Sequence, residues 1–378
     1  MYQISVPMPY SIEHINKILD INKELKKSKI TCLYFSLPCN SQDFTGFEQG
    51  RYITDKNTDF GFFKPLIEYS LEKNFDFIYL LNSPKVYNYE FDNLDLYIKK
   101  LDKLINKLSL SGCKKLRVCN PQLIAYINKN YPDFELYLST SSELQSIRQY
   151  SVLFSMFKNI KEFVPSFDLN KNFKLLKNIK KKFPDIEIEL MMNEGCIPAC
   201  PLRTSHNIFI TGVVDKINDD EIFNSRFFLN NCYSFMGNDI SLYLCNCNII
   251  YPWEADEYFK IGIKKFKLVG RNTPEFHTGK YFDYYRTILK GIDNFNNIKN
   301  EEIRYFNNYI YKFSNINLTV NEIKQYLPKT EHFKKYGHLC ASMCGVECKY
   351  CYKCAEKIQK ILNKKQEEQR KMNIPFCV

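Results

Sequence analysis

Apolar residues recur along this chain in two rhythms that take turns. Short runs rich in β-branched and aromatic residues stand at Gln3–Val6, Thr31–Ser36, Phe77–Leu81, Leu116–Cys119, Glu135–Leu138, Glu162–Val164, Glu187–Met191 and Phe266–Val269. Each has the length and composition of a strand, and a longer stretch with helical spacing separates it from the next. Ile12, Ile15, Ile18, Leu19 and Ile21 place one apolar face on a helix over 12–26, which Ser11 can cap. Pro121 opens a helix over 122–130 with Leu123, Ile124 and Ile127 on one side. Ser141 or Ser142 is expected to cap the helix that includes Leu144 and Ile147. Eight such units in succession predict an α/β fold, a (β/α)8 TIM-like barrel over 1–295. An insertion of about Cys196–Tyr251 separates strands seven and eight, and residues 296–378 form a small cysteine-rich appendage.

In such barrels the chemistry sits where the strands end, so the residues that follow each strand converge on one mouth. Here they are Pro38 and Cys39, Asn82, Asn120, Ser139 and Thr140, Ser166 and Asp168, Asn193 and Glu194, and Gly270 and Arg271. Ser139, Thr140 and Asp168 are of the residue types that cap helices. Asn193, Glu194, Cys196, Cys200, Arg203 and His206 share one loop after the seventh strand, and that loop is the candidate site. Arg203, Lys267 and Arg271 either hold an anionic substrate, since guanidinium offers a fork to carboxylates, or pair with Glu194 or Asp168.

Composition changes the picture through cysteine. The chain has 378 residues and 15 cysteines, yet residues 1–10 carry neither a basic segment nor an apolar one of the secretory kind. The expectation is a cytoplasmic protein with reduced thiols, in which clustered cysteines serve metals rather than disulfides. No stretch approaches the roughly 20 apolar residues of a membrane span. With 45% hydrophobic and 15% aromatic residues there is material for a large core. A net charge of +11 is spread over lysine-rich segments such as Lys177–Lys182; these read as solvated helix faces or as attraction to RNA or another polyanion.

The segment 186–203, IEIELMMNEGCIPACPLR, resembles the seventh strand and cysteine loop of the collagenase-like peptidase family U thirty-two. Leu138-Ser139-Thr140, the acidic helix start over 164–169 and Lys267-Leu268-Val269-Gly270-Arg271 follow the family's order, and the resemblance runs over about residues 1–290. CxxxCPxR followed by His206 is similar to a divergent, cluster-bearing branch. The family includes collagenase-like peptidases and also hydroxylases of ubiquinone and RNA that hold a [4Fe-4S] cluster and work without molecular oxygen, prephenate being the implicated donor. The resemblance implies one such cluster in the barrel on Cys196, Cys200 and Cys232, with the fourth ligand open among Cys245, Cys247 and Cys39. Glu194, Arg203, His206 and Arg271 would surround it.

A second cluster lies outside that resemblance. Cys340, Cys344, Cys348, Cys351 and Cys354 fall within 15 residues, and Cys344, Cys348, Cys351 and Cys354 are the expected quartet for a second [4Fe-4S] cluster or Zn. The CxxxCxxC spacing over 344–351 resembles the motif of radical S-adenosylmethionine enzymes, but no barrel can follow it. Cys32, Cys113 and Cys119 are expected to be buried thiols in or beside strands. Three functions stay open: an iron-sulfur enzyme modifying an RNA, small-molecule or peptide substrate, including oxygen-independent hydroxylation; a peptidase; or a non-catalytic module binding RNA or a partner protein. HExxH and GxSxG are absent from the sequence, and five histidines offer a peptidase little machinery.

Overall fold

Alternation along each strand divides two environments. Ile4 and Val6, Leu33 and Phe35, Leu116 and Val118, Ile188 and Leu190, and Phe266 and Leu268 join the main apolar core between sheet and helices. The residues between them, Ser5, Cys32, Tyr34, Arg117, Glu162, Glu189, Lys265 and Lys267, fall on the opposite face, as the two-residue period of a strand requires. In a computed structural model that describes residues 1–49, 59–84, 94–196, 198–209, 240–246, 248–270, 281–299, 302 and 318–371, the opposite face is the inside of a closed barrel.

The strands are β1 (Tyr2–Pro7), β2 (Ser28–Phe35), β3 (Asp76–Leu81), β4 (Lys115–Val118), β5 (Glu135–Leu138), β6 (Ile160–Phe163), β7 (Glu187–Met191) and β8 (Lys265–Lys267). All neighbours are parallel and β8 closes on β1, Ser5 pairing with Lys267. Helices α1 (Ile12–Glu24), α2 (Phe60–Glu72), α3 (Leu94–Leu110), α4 (Pro121–Asn130), α5 (Ile147–Met156) and α6 (Phe173–Lys182) alternate with them. This is a (β/α)8 barrel, as the eightfold pattern predicted. Ser11 caps α1 by accepting from the His14 amide at 3.2 Å. The cap of α5 is Ser146, in a reciprocal capping box with Gln149, rather than Ser141 or Ser142; those two fall in a short 3-10 turn (Thr140–Ser142).

The lumen is charged as well as apolar. Arg117 bonds Glu162 at 2.6 Å and also Glu189; Lys265 bonds Glu162 at 2.8 Å, and Ser5 donates to Glu189. Each carboxylate of this buried layer has a cation bonded to it, the condition under which ions tolerate a dry interior. Cys32, Tyr34, Ile78, Leu80 and Tyr137 fill the space beside it.

Between β7 and β8 the insertion contributes α7 (Arg203–Phe209) and α8 (Ile240–Asn246), and α9 (Ala255–Phe259) leads into β8; α10 (Tyr281–Asn294) follows β8. The C-terminal region holds α11 (Val320–Tyr326), α12 (Thr330–Tyr336), α13 (Cys340–Met343) and α14 (Tyr350–Lys371). It shares the barrel's core, since Phe333, Cys351, Cys354, Ile358 and Leu362 belong to the same apolar cluster as the strands. Buried Glu254 ties the two parts, accepting from Lys171 at 2.5 Å and Thr330 at 3.0 Å. Among the described residues no helix is long and apolar enough to cross a membrane.

Candidate functional site

Asn193, the second residue beyond β7, anchors the mouth loop. Its side-chain amide donates to the Val269 carbonyl and the Tyr284 hydroxyl, each at 2.8 Å, and its oxygen accepts from the Val269 amide at 2.7 Å. The ends of β7 and β8 are thereby stitched together. Glu194 next turns its carboxylate back onto the Cys196 amide at 3.1 Å, and the Tyr243 hydroxyl of α8 donates to the Gly195 carbonyl at 2.5 Å.

Asp168 organises the far side of the loop. Its Oδ1 accepts from the Ala199 amide at 3.0 Å, Arg203 Nη2 at 3.0 Å and Asn248 Nδ2 at 2.9 Å, while Oδ2 pairs with Arg203 Nη1. The Arg203 side chain is buried and its guanidinium lies 4.2 Å from the centre of the Phe167 ring. Of the two roles open to Arg203, the geometry therefore provides the ion pair with Asp168. Ala199 sits at φ 50°, a left-handed conformation that costs an alanine about 1 kcal/mol and that the Asp168 bond holds in place. Asp168 is thus a loop organiser; Ser139 does cap its 3-10 turn, accepting from the Ser141 amide.

Within this frame Cys196 and Cys200 are neighbours, and the charge of Arg203 acts on both. The neighbouring Cys196 brings the Cys200 thiol down to about 6, whereas Cys200 and burial push the Cys196 thiol up. Cys196 packs beside Val164, Phe167, Met191 and Val269, an apolar patch at the strand ends. His206 lies on α7, one turn beyond Leu202, whose carbonyl accepts its amide at 2.8 Å. Lys267 is buried, its ammonium 4.0 Å from the centre of the Tyr34 ring.

The other expected ligands distribute differently. Cys245 is buried in the main core with Tyr243, Leu244 and Ile250. Cys232, Cys247 and Arg271 lie outside the described residues. Two cysteines of the expected barrel set, Cys196 and Cys200, are therefore adjacent. In the appendage, Cys344 and Cys348 are bridged through their backbones and Cys348 Sγ lies 3.6 Å from His332 Nε2. Among the described residues no three His, Cys, Asp or Glu side chains are gathered closely enough to hold an ion.

Sequence reading also missed Glu48, a buried acid near the mouth. Glu48, in the loop after β2, accepts from the Thr45 amide at 3.1 Å and hydroxyl at 2.7 Å, and from the Tyr79 hydroxyl at 2.9 Å. Burial raises its carboxyl to about 7 against these bonds. Neighbouring Gln49 links Asn82 of the mouth to the Asn207 carbonyl of α7. A lone glutamate in a polar loop gives no sequence signal of burial.

No family model matches the chain, and no curated protein matches it. Solved structures similar to it include a U32 peptidase, at 13% identity and a TM-score of 0.48, covering 72% of this chain and 95% of that one. N-acetylneuraminate lyase from Fusobacterium nucleatum is similar at 13% identity and a TM-score of 0.36, with 96% and 97% of the two chains covered. Dihydrodipicolinate synthase from Bacteroides thetaiotaomicron is similar at 12% identity and a TM-score of 0.38, with 96% and 98% covered.

Proposed function

We propose that this chain is an iron-sulfur barrel enzyme that modifies its substrate at the mouth, the reaction being oxygen-independent hydroxylation of an RNA, small molecule or peptide. The observation that carries the reading is the juxtaposition of Cys196 and Cys200 in the loop after β7, with Cys196 against the apolar patch of Val164, Phe167, Met191 and Val269 at the strand ends. Soft thiolates are the ligands such clusters take. A bound cluster would supply electron transfer or activation of the substrate. The chain's own groups fix the loop: Asp168 holds Arg203 and Ala199, and Asn193 holds the strand ends. Arg203 is a positioning residue here, because its charge is already matched by Asp168.

Anaerobic purification with counts of iron, zinc and acid-labile sulfide tests this. Iron with matching sulfide, lowered in a Cys196→Ser, Cys200→Ser double variant, is the expected result. A colourless protein holding zinc and no sulfide overturns it. The same Cys200 thiol favours a second reading, a peptidase with a cysteine nucleophile. Peptide cleavage by iron-free protein, abolished by Cys200→Ser, would establish that reading in place of the first.

A further inference from the structure

The end of the barrel opposite the mouth is not fully closed. Beside the first residues of β1 and β2 a cavity of about 740 Å³ remains, the size that takes a small ligand. Four separate segments build its wall: the turn into β2 at Lys26 and Lys27, Trp253 ahead of α9, Phe295 just past α10, and Lys324 of α11.

The acidic groups of this wall are turned to the protein itself. Asp293 accepts from the amides of Lys26 at 2.6 Å, Lys27 at 3.1 Å and Ser28 at 2.7 Å. Asp256 accepts from the Tyr2 hydroxyl, and Glu24 pairs with Arg286 at 3.1 Å. Of the cations, Lys290 is taken by Glu302 at 2.9 Å. Lys26, Lys27 and Lys324 are exposed and have no carboxylate partner among the described residues. The Lys324 ammonium instead lies 4.8 Å from the centre of the Phe295 ring, a weak hold at an exposed site, from which a phosphate can draw it. With its carboxylates engaged and three ammonium groups available, the cavity suits an anion rather than a cation.

Trp253 sets the shape of that anion. It is the only tryptophan of the chain, half-buried, and its ring is fixed, stacked on Tyr251 at 4.7 Å and 5° and set across Phe295 at 4.6 Å and 73°. A ring already fixed gives up little freedom on binding, so it makes an effective wall for a planar ligand. Asn296 and Asn297, exposed on the same wall, carry amides that both donate and accept, as the edge of a base requires.

We propose that this cavity binds a nucleoside phosphate, with the phosphate on Lys26, Lys27 and Lys324 and the base against Trp253 and Phe295. The site is separate from the barrel cysteines and does not rest on the chemistry of the mouth.

Trp253 reports on its own site, because no other tryptophan contributes to the fluorescence. The full chain is titrated with AMP and followed by that fluorescence and by calorimetry. Saturable quenching is expected, with one dissociation constant from both readouts. The double variant Lys26→Ala, Lys27→Ala and the single variant Lys324→Ala should each weaken AMP about tenfold while their dichroism and unfolding stay those of the parent. Adenosine and inorganic phosphate should each bind at least about tenfold more weakly than AMP, since each satisfies one half of the cavity. A Cys196→Ser, Cys200→Ser chain should bind AMP as the parent does, which separates this site from the fate of the mouth reading. Competition by a short oligoadenylate would identify the source as the end of an RNA; AMP binding without such competition identifies a free nucleotide. No binding of AMP by either readout overturns the proposal, as does heat of binding with unchanged Trp253 fluorescence. Full affinity in the lysine variants, or inorganic phosphate binding as tightly as AMP, overturns it equally.

Discussion

Asp168 draws three chain segments to one carboxylate: the cysteine loop at Ala199, α7 at Arg203 and the approach to β8 at Asn248. Asp168→Ala leaves the Arg203 guanidinium buried without that partner, a change expected to cost about 3 kcal/mol. Denaturant unfolding of the variant checks this; a loss below about 1 kcal/mol would show that the loop re-forms without its organiser. Glu48 makes a prediction of the opposite kind, about pH. Its folded carboxyl stays protonated up to about 7, while the unfolded one ionises near 4.5, so folding takes up a proton between those values. The stability this group contributes therefore falls as pH rises through that window, by about 3 kcal/mol in all, and then levels. Glu48→Gln keeps the neutral shape and removes the titration. Its stability relative to the parent should climb from pH 5 to 8, and parallel curves for the two proteins would refute the assignment.

At the scale of the elements, the strands were legible because their period is two and their polar face lies inside. Lys115-Leu116-Arg117-Val118 and Glu187-Ile188-Glu189 announce alternation openly, and β4 and β7 fall there. Helix α1 was legible from Ser11 and its isoleucine stripe. The α5 cap was misplaced although Ser146-x-x-Gln149 spells a capping box, because the nearer serines drew the reading. The pairing of Arg203 with Asp168 joins residues 35 positions apart, and spacing could only offer it as one of two options. The packing of α12 depends on one close approach that sequence hides as well. A Cβ on Gly337, just past that helix, would lie 2.0 Å from the Lys171 carbonyl oxygen, a backbone atom that no rotamer change removes. Gly337→Ala should detach α12 from the barrel, seen as faster hydrogen exchange over 330–339 with β1 to β5 unchanged.

Across the whole molecule, the two cysteine regions are joined by one mechanical path. Helix α14 carries Cys351 in its first turn and packs along α8, where the Ser241 hydroxyl donates to Gln359 at 2.7 Å. From α8 the Tyr243 hydroxyl reaches the Gly195 carbonyl, next to Cys196. The buried residues of α14, Ala355, Ile358 and Leu362, lie in the same core as Tyr243 and Leu244, so displacing the helix exposes apolar surface on α8. Whatever fixes the start of α14 should therefore steady the mouth loop, through packing and one hydrogen bond rather than through shared ligands. Tyr243→Phe removes the hydrogen bond and keeps the packing. The expected outcome is a local one: Cys200 alkylates faster in the variant, by about fivefold if the lost bond contributed about 1 kcal/mol to holding the loop closed, while unfolding of the chain shifts by no more than about that energy. Shortening the chain after residue 349 removes the packing of α14 on α8 and the Ser241–Gln359 bond, and should raise the alkylation rate as well. Unchanged rates in both chains would mean that the mouth loop is held by Asn193 and Asp168 alone, and that the appendage rides on the barrel without acting on it.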